Sequence, residues 1–136
     1  MEKELKTKTV DGIIYTESGK KIIGYDSSLK GDIIIPHGVV SIAENAFRGC
    51  AGIKSVVMPD TVKWVAAGAF QDCVALKSIH LSENLKELHS VTFANCKKLT
   101  QIVIPGSAES VGTGAFDGCE SLKHVLVSAG VKTIYA

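Results

Sequence analysis

The block Ala46-Phe47-Arg48-Gly49-Cys50 returns as Ala69-Phe70-Gln71-Asp72-Cys73, Thr92-Phe93-Ala94-Asn95-Cys96 and Ala115-Phe116-Asp117-Gly118-Cys119. Successive phenylalanines are 23 residues apart, without insertion or deletion, and the four blocks hold all four Phe and all four Cys of the chain. A fixed period this short constrains the fold strongly. One such unit cannot bury a core alone, so units must stack and each completes the core of the next. The chain is expected to be a repeat solenoid.

The rest of each unit repeats in step. Ile33-Ile34-Ile35-Pro36 has the counterparts Val56-Val57-Met58-Pro59, Ile79-His80-Leu81-Ser82, Ile102-Val103-Ile104-Pro105 and Val125-Leu126-Val127-Ser128. These are β-prone runs, each closed by a residue suited to leaving a sheet. A second apolar pair follows in every unit, Val39 and Ile42 in the first. Asn45, Gly68, Val91 and Gly114 precede the Phe block; Asn and Gly suit a positive φ there, and Val91 does not. Phe47, Cys50 and Ile53 fall at offsets 0, 3 and 6, a spacing that predicts one or two short helical turns with one face inward.

The N-terminal segment differs. Residues 1–10 are polar and Lys-rich and read as a frayed end. Gly12–Tyr15 and Lys21–Tyr25 flank a Ser-Gly turn and predict a β-hairpin that caps the first coil. The expected organisation is therefore residues 1–30 as tail and capping hairpin, and 31–136 as four full repeats and a partial fifth. Continuing the register would put the next Ala-Phe at 138 and 139, so the array is expected to be part of a longer one, its last coil exposing apolar residues.

The pattern Ile-x-Ile-Pro-x-x-Val-x-x-Ile-x-x-x-Ala-Phe-x-x-Cys-x-x-Ile, held over residues 31–136, resembles the BspA-like (Treponema-type) leucine-rich repeat. The resemblance implies a right-handed, curved, β-rich superhelix with short helical turns. It also implies a surface-displayed or secreted bacterial protein with an adhesive or protein-binding role, and no catalytic residues. Thr92 for Ala, Ser82 and Ser128 for Pro, and Ala108 for a larger apolar residue are departures that touch local packing only.

The residue inventory points the same way. Lys and Arg number 15 against 14 acids, a balance unlike that of a general nucleic-acid or anionic-membrane binder. No apolar run approaches a membrane span, and no signal peptide is visible in the polar first residues, so the expectation is either a cytoplasmic chain or a mature one whose signal has been removed. His37, His80, His89 and His124 form no zinc-protease motif, and no nucleophile-elbow or phosphate-loop motif is present. The four cysteines share one inward column; stacked side chains there do not offer disulfide geometry, and free buried thiols are expected. With no C-x-x-C pair, no metal site and no cofactor is expected.

Binding is the remaining class. Strand side chains alternate between faces, so if Ile33 and Ile35 point in, Ile34, Val57, His80, Val103 and Leu126 point out as a mostly apolar stripe. Such a stripe suits a protein partner or a second copy of the chain, though strand propensity alone also explains β-branched residues. Trp64 stands in a column otherwise of Ser41, Glu87, Ser110 and Thr133, which reads as water-facing; an exposed Trp is a candidate anchor. Lys54, Lys77 and Lys123 read as a solvated ladder. The expected function is a non-enzymatic interaction or adhesion module, with host, matrix or self protein as partner through the strand face or the open C-terminal end. The alternative is a structural spacer that binds nothing.

Overall fold

The chain opens on an antiparallel meander. β1 (Thr7–Val10) pairs with β2 (Ile13–Thr16), and β2 pairs with β3 (Lys21–Tyr25) across a bulge at Ile14/Tyr15. The expected hairpin is β2–β3. Residues 7–10, expected to fray, are instead a strand, because Asp11 (φ 50°) and Gly12 (φ 85°) form a two-residue turn between Val10 and Ile13. Positive φ at both central positions is the hairpin geometry that Asp-Gly favours. The computed structural model describes residues 6–135, so the first half of that tail lies outside the described residues.

From β3 onward the pairing turns parallel and the chain becomes a β-solenoid of about five turns. β4 (Gly31–Ile34), β6 (Ile53–Val57) and β8 (Ser78–His80) form one parallel sheet, and β9 (Gln101–Ile104) with β11 (His124–Val127) continue its line. The second line is made of two-residue strands. β5 (Ser41–Ile42) pairs with β3 and with β7 (Trp64–Val65), and β10 (Ser110–Val111) pairs with β12 (Thr133–Ile134). Neither line is unbroken. Between β8 and β9 no ladder forms, and in the second line the third coil has no strand of its own: the Leu88–Val111 bridge joins it to the fourth coil and Lys86 N, donating to Lys63 O at 3.0 Å, joins it to the second.

The corner carrying the Phe block is continuous. Phe47 N donates to Ala69 O (2.8 Å), Phe70 N to Thr92 O (2.9 Å) and Phe93 N to Ala115 O (2.9 Å). Two flanking amides repeat the pattern at each step, as in Asn45 N to Ala67 O and Gly49 N to Gln71 O. This corner is not helical, contrary to the expectation from the 0, 3, 6 spacing. Among the described residues no helix is present. Alternate amides bond to the next coil, and those between close tight turns, as Ala46 N to Ala43 O and Cys50 N to Phe47 O do. A helix would need every amide for its own i−4 carbonyl, and half of them are committed elsewhere.

Inside the corner the rings stack. Phe47, Phe70, Phe93 and Phe116 lie parallel, with centroids 5.1, 5.6 and 6.0 Å apart. Tyr25 of β3 extends the column, its ring 6.3 Å from Phe47 and its hydroxyl donating to Arg48 O at 2.9 Å. Tyr25 is 22 residues before Phe47 rather than 23, which hides it from a search at strict period. The departures from the repeat are absorbed. Thr92 Oγ1 donates to His89 O, and the buried Ser82 Oγ donates to Val62 O while accepting from Asn84 N, so neither hydroxyl is left unpaired.

Two columns of positive φ bend each corner. One is Asn45, Gly68, Val91 and Gly114; the other is Gly49, Asp72, Asn95 and Gly118. Val91 takes this conformation (φ 49°) despite its branched side chain, a position where a β-branched residue is strained. Val91→Asn is therefore expected to raise stability by about 1 kcal/mol, the lower end of the left-handed penalty. Chemical denaturation checks this; a loss of stability would show that the Val91 methyls pack for more than their backbone costs.

Candidate interaction faces

Two surfaces follow from this winding. On the first, strands expose every second side chain. Ile34 is 76% exposed, Val57 44%, Val103 47% and Leu126 57%, and His80 is exposed between them. Their inward neighbours Ile35, Val56, Met58, Ile102 and Ile104 are buried. Ile34 lies opposite Val57, Val57 opposite His80, and Val103 opposite Leu126 as direct ladder partners. His80 and Val103 flank the place where the ladder opens. The adjoining outward column is polar: Asp32, Ser55, Ser78, Gln101 and His124, with Ser55 Oγ donating to Asp32 at 2.8 Å.

Trp64 is on a different face. It stands on β7 beside Ser41 and is 48% exposed, so it belongs to the second line of strands and does not join the stripe. At the last coil, Val125, Val127, Ile134 and Tyr135 are exposed. Val125 and Val127 occupy the columns that in the preceding coil hold the buried Ile102 and Ile104. One signal went unused in the sequence: the Gly49, Asp72, Asn95, Gly118 column consists wholly of residue types that tolerate a positive φ. It marks the corner as clearly as the Phe column does.

The thiols form an inner column. All four cysteines are free. The Sγ of Cys73, Cys96 and Cys119 donates to the carbonyl of Phe47, Phe70 and Phe93, at 3.2, 3.2 and 3.0 Å. Burial pushes every thiol upward: Cys96 to about 12, with the Cys119 charge adding to it, and Cys73 further, with Cys96 and Cys50 adding. Cys50 and Cys119 shift the same way, burial leading. A thiol so disposed is a weak nucleophile. No group of three or more His, Cys, Asp or Glu side chains suited to a metal ion occurs among the described residues.

A ladder of short parallel strands, a stacked aromatic corner and side chains alternating between core and solvent define a leucine-rich-repeat solenoid. The family described as "BspA type Leucine rich repeat region" matches residues 23–136 in six copies, and the chain belongs to that family. A leucine rich cell surface protein from Faecalibacterium prausnitzii has a similar structure, with a TM-score of 0.75 and 30% identity over 90% of this chain and 39% of that one. A leucine-rich repeat protein from Bacteroides capillosus gives a TM-score of 0.76 and 29% identity, over 90% of this chain and 98% of that one. The pneumococcal vaccine antigen PcpA shares the fold, with a TM-score of 0.79 at 19% identity, over 94% of this chain and 36% of that one. The chain thus spans well under half of the first and third of these. No curated protein matches it. Repeats of this family are typically protein-interaction modules and typically non-enzymatic.

Proposed function

We propose that the chain is a non-enzymatic adhesion or protein-interaction module of a bacterial surface or secreted protein, engaging its partner with the strand face. The carrying observation is the stripe of Ile34, Val57, Val103 and Leu126, apolar side chains turned to solvent from four of the five strands of this line, with the exposed His80 on the fifth between Val57 and Val103. Four strand spacings make it about 20 Å long. Exposed apolar surface of this kind is a mark of interaction sites, and the bordering polar column from Asp32 to His124 supplies the polar rim such sites carry. The surface location is supported by the cell surface protein of similar fold. Trp64 offers a second, separate anchor. A right-handed winding, the hand that parallel crossovers favour, and a capping role for residues 1–30 complete the reading. Tyr25 on Phe47 and Ile22 beside Ile42 support that cap.

Val57→Lys with Val103→Lys tests the face. Both side chains are about half exposed, so the double variant is expected to keep its thermal transition within a few degrees. Self-association or partner binding, read by sedimentation or surface capture on purified host-matrix proteins, is expected to fall about tenfold or more. Unaltered association in a folded double variant would reduce the stripe to strand-forming residues.

A further inference from the structure

The seam between the N-terminal meander and the first coil is a second surface, apart from the strand-face stripe. Lys8 and Val10 alternate along β1, and their partners on β2 are Tyr15 and Ile13, so all four side chains share one face of the ribbon. Ile13 and Tyr15 are buried against the core, whereas Lys8 and Val10, one strand further out, are exposed. β1 therefore overhangs the solenoid. Beneath it lie two hollows. One of about 390 Å³ is lined by Lys8, Ser18, Lys20 and His37, and one of about 210 Å³ by Asp11, Asp32 and Ile34. Val10, Tyr15 and Pro36 line both, which makes them one groove.

The groove is polarised. Its one end is basic, its middle apolar and its other end acidic. The Asp32 carboxylate is held by Ser55 Oγ at 2.8 Å. Neither Lys8 nor Lys20 makes an ion pair among the described residues. The outer edge of β1 pairs with no described strand. An unpaired strand edge beside a groove is what an extended peptide recognises, the edge by its backbone and the groove by alternate side chains. Lys8 on β1 and Asp11 in the turn that follows it are three residues apart, a span of at most about 10 Å. We propose that this groove binds an extended peptide segment of a partner protein, with a basic and an acidic residue three or four positions apart and apolar residues between them. The acidic residue lies over Lys8 and Lys20, and the basic one over Asp11 and Asp32.

The test is an amide chemical-shift titration of the full chain with an acetylated, amidated pentapeptide of arginine, valine, isoleucine, valine and glutamate. Its neutral twin carries norleucine and glutamine in place of the charges. Saturable shifts are expected at Val10, Tyr15 and Ser18, with the twin binding about tenfold more weakly or less. Lys8→Glu with Lys20→Glu is expected to cause a similar loss. Both lysines are exposed, and Lys8→Gln with Lys20→Gln serves if the reversal disturbs the fold. Val57→Lys with Val103→Lys is expected to leave this binding unchanged, which separates the groove from the strand face. No saturable shift at millimolar peptide would overturn the proposal. So would equal affinity for the twin, or shifts centred on the strand-face stripe.

Discussion

Phe70→Ala is expected to lower stability by about 3–5 kcal/mol, the range for emptying a large buried aromatic site. Phe70 is fully buried, its ring stacked between those of Phe47 at 5.1 Å and Phe93 at 5.6 Å. Its amide is one link of the corner ladder, to Thr92 O. Alanine keeps that backbone bond and removes the ring, so the loss reads the aromatic column alone. The gap cannot close by collapse without shortening a ladder fixed on both sides. Phe116 gives the internal comparison, because it is only partly buried and stacks on one neighbour. Phe116→Ala is expected to cost less than half as much. Urea unfolding of both variants measures the difference. Equal losses, or a loss below about 1 kcal/mol at Phe70, would mean that the stack is not what holds the coils together.

Raising the pH above 9 is expected to destabilise the fold steeply, through the thiol column. In the unfolded chain each thiol ionises near its ordinary 9.0, whereas in the fold burial pushes Cys96 up to about 12 and Cys73 beyond it. Below pH 9 both states keep these protons, and the contribution to stability is constant. Between 9 and 12 the unfolded chain releases protons that the folded one retains, so the unfolded state gains and stability falls with pH. Three units correspond to about 4 kcal/mol for Cys96 alone. Cys73→Ser with Cys96→Ser is expected to flatten the alkaline limb while costing some stability at pH 7. An unchanged limb would assign the transition to lysine and tyrosine titration instead. Thiol titration at pH 8 gives a companion readout. The partly buried Cys119 is expected to react first and Cys73 and Cys96 last, with four groups free after denaturation.

The repeat, its phase and the inward columns are legible in the residues, because a stack with a fixed period makes every column report the same environment several times over. Alternation set Ile34 on the face opposite to Ile33 and Ile35, His80 marked that column as the outward one, and the buried phenylalanine and cysteine columns could be named. What repeats only once carried no such redundancy. β1 rests on a single Asp11-Gly12 turn, Tyr25 joins the aromatic column one residue out of step, and Trp64 proved to stand on another face from the stripe. Tertiary structure alone decided the form of the corner. Its spacing of three is shared by a helix and by a chain of tight turns. The choice between them depends on where alternate amides find acceptors, and those acceptors are supplied by the neighbouring coil. The same holds for the groove under β1, whose walls come from segments that meet only when the meander is laid against the first coil.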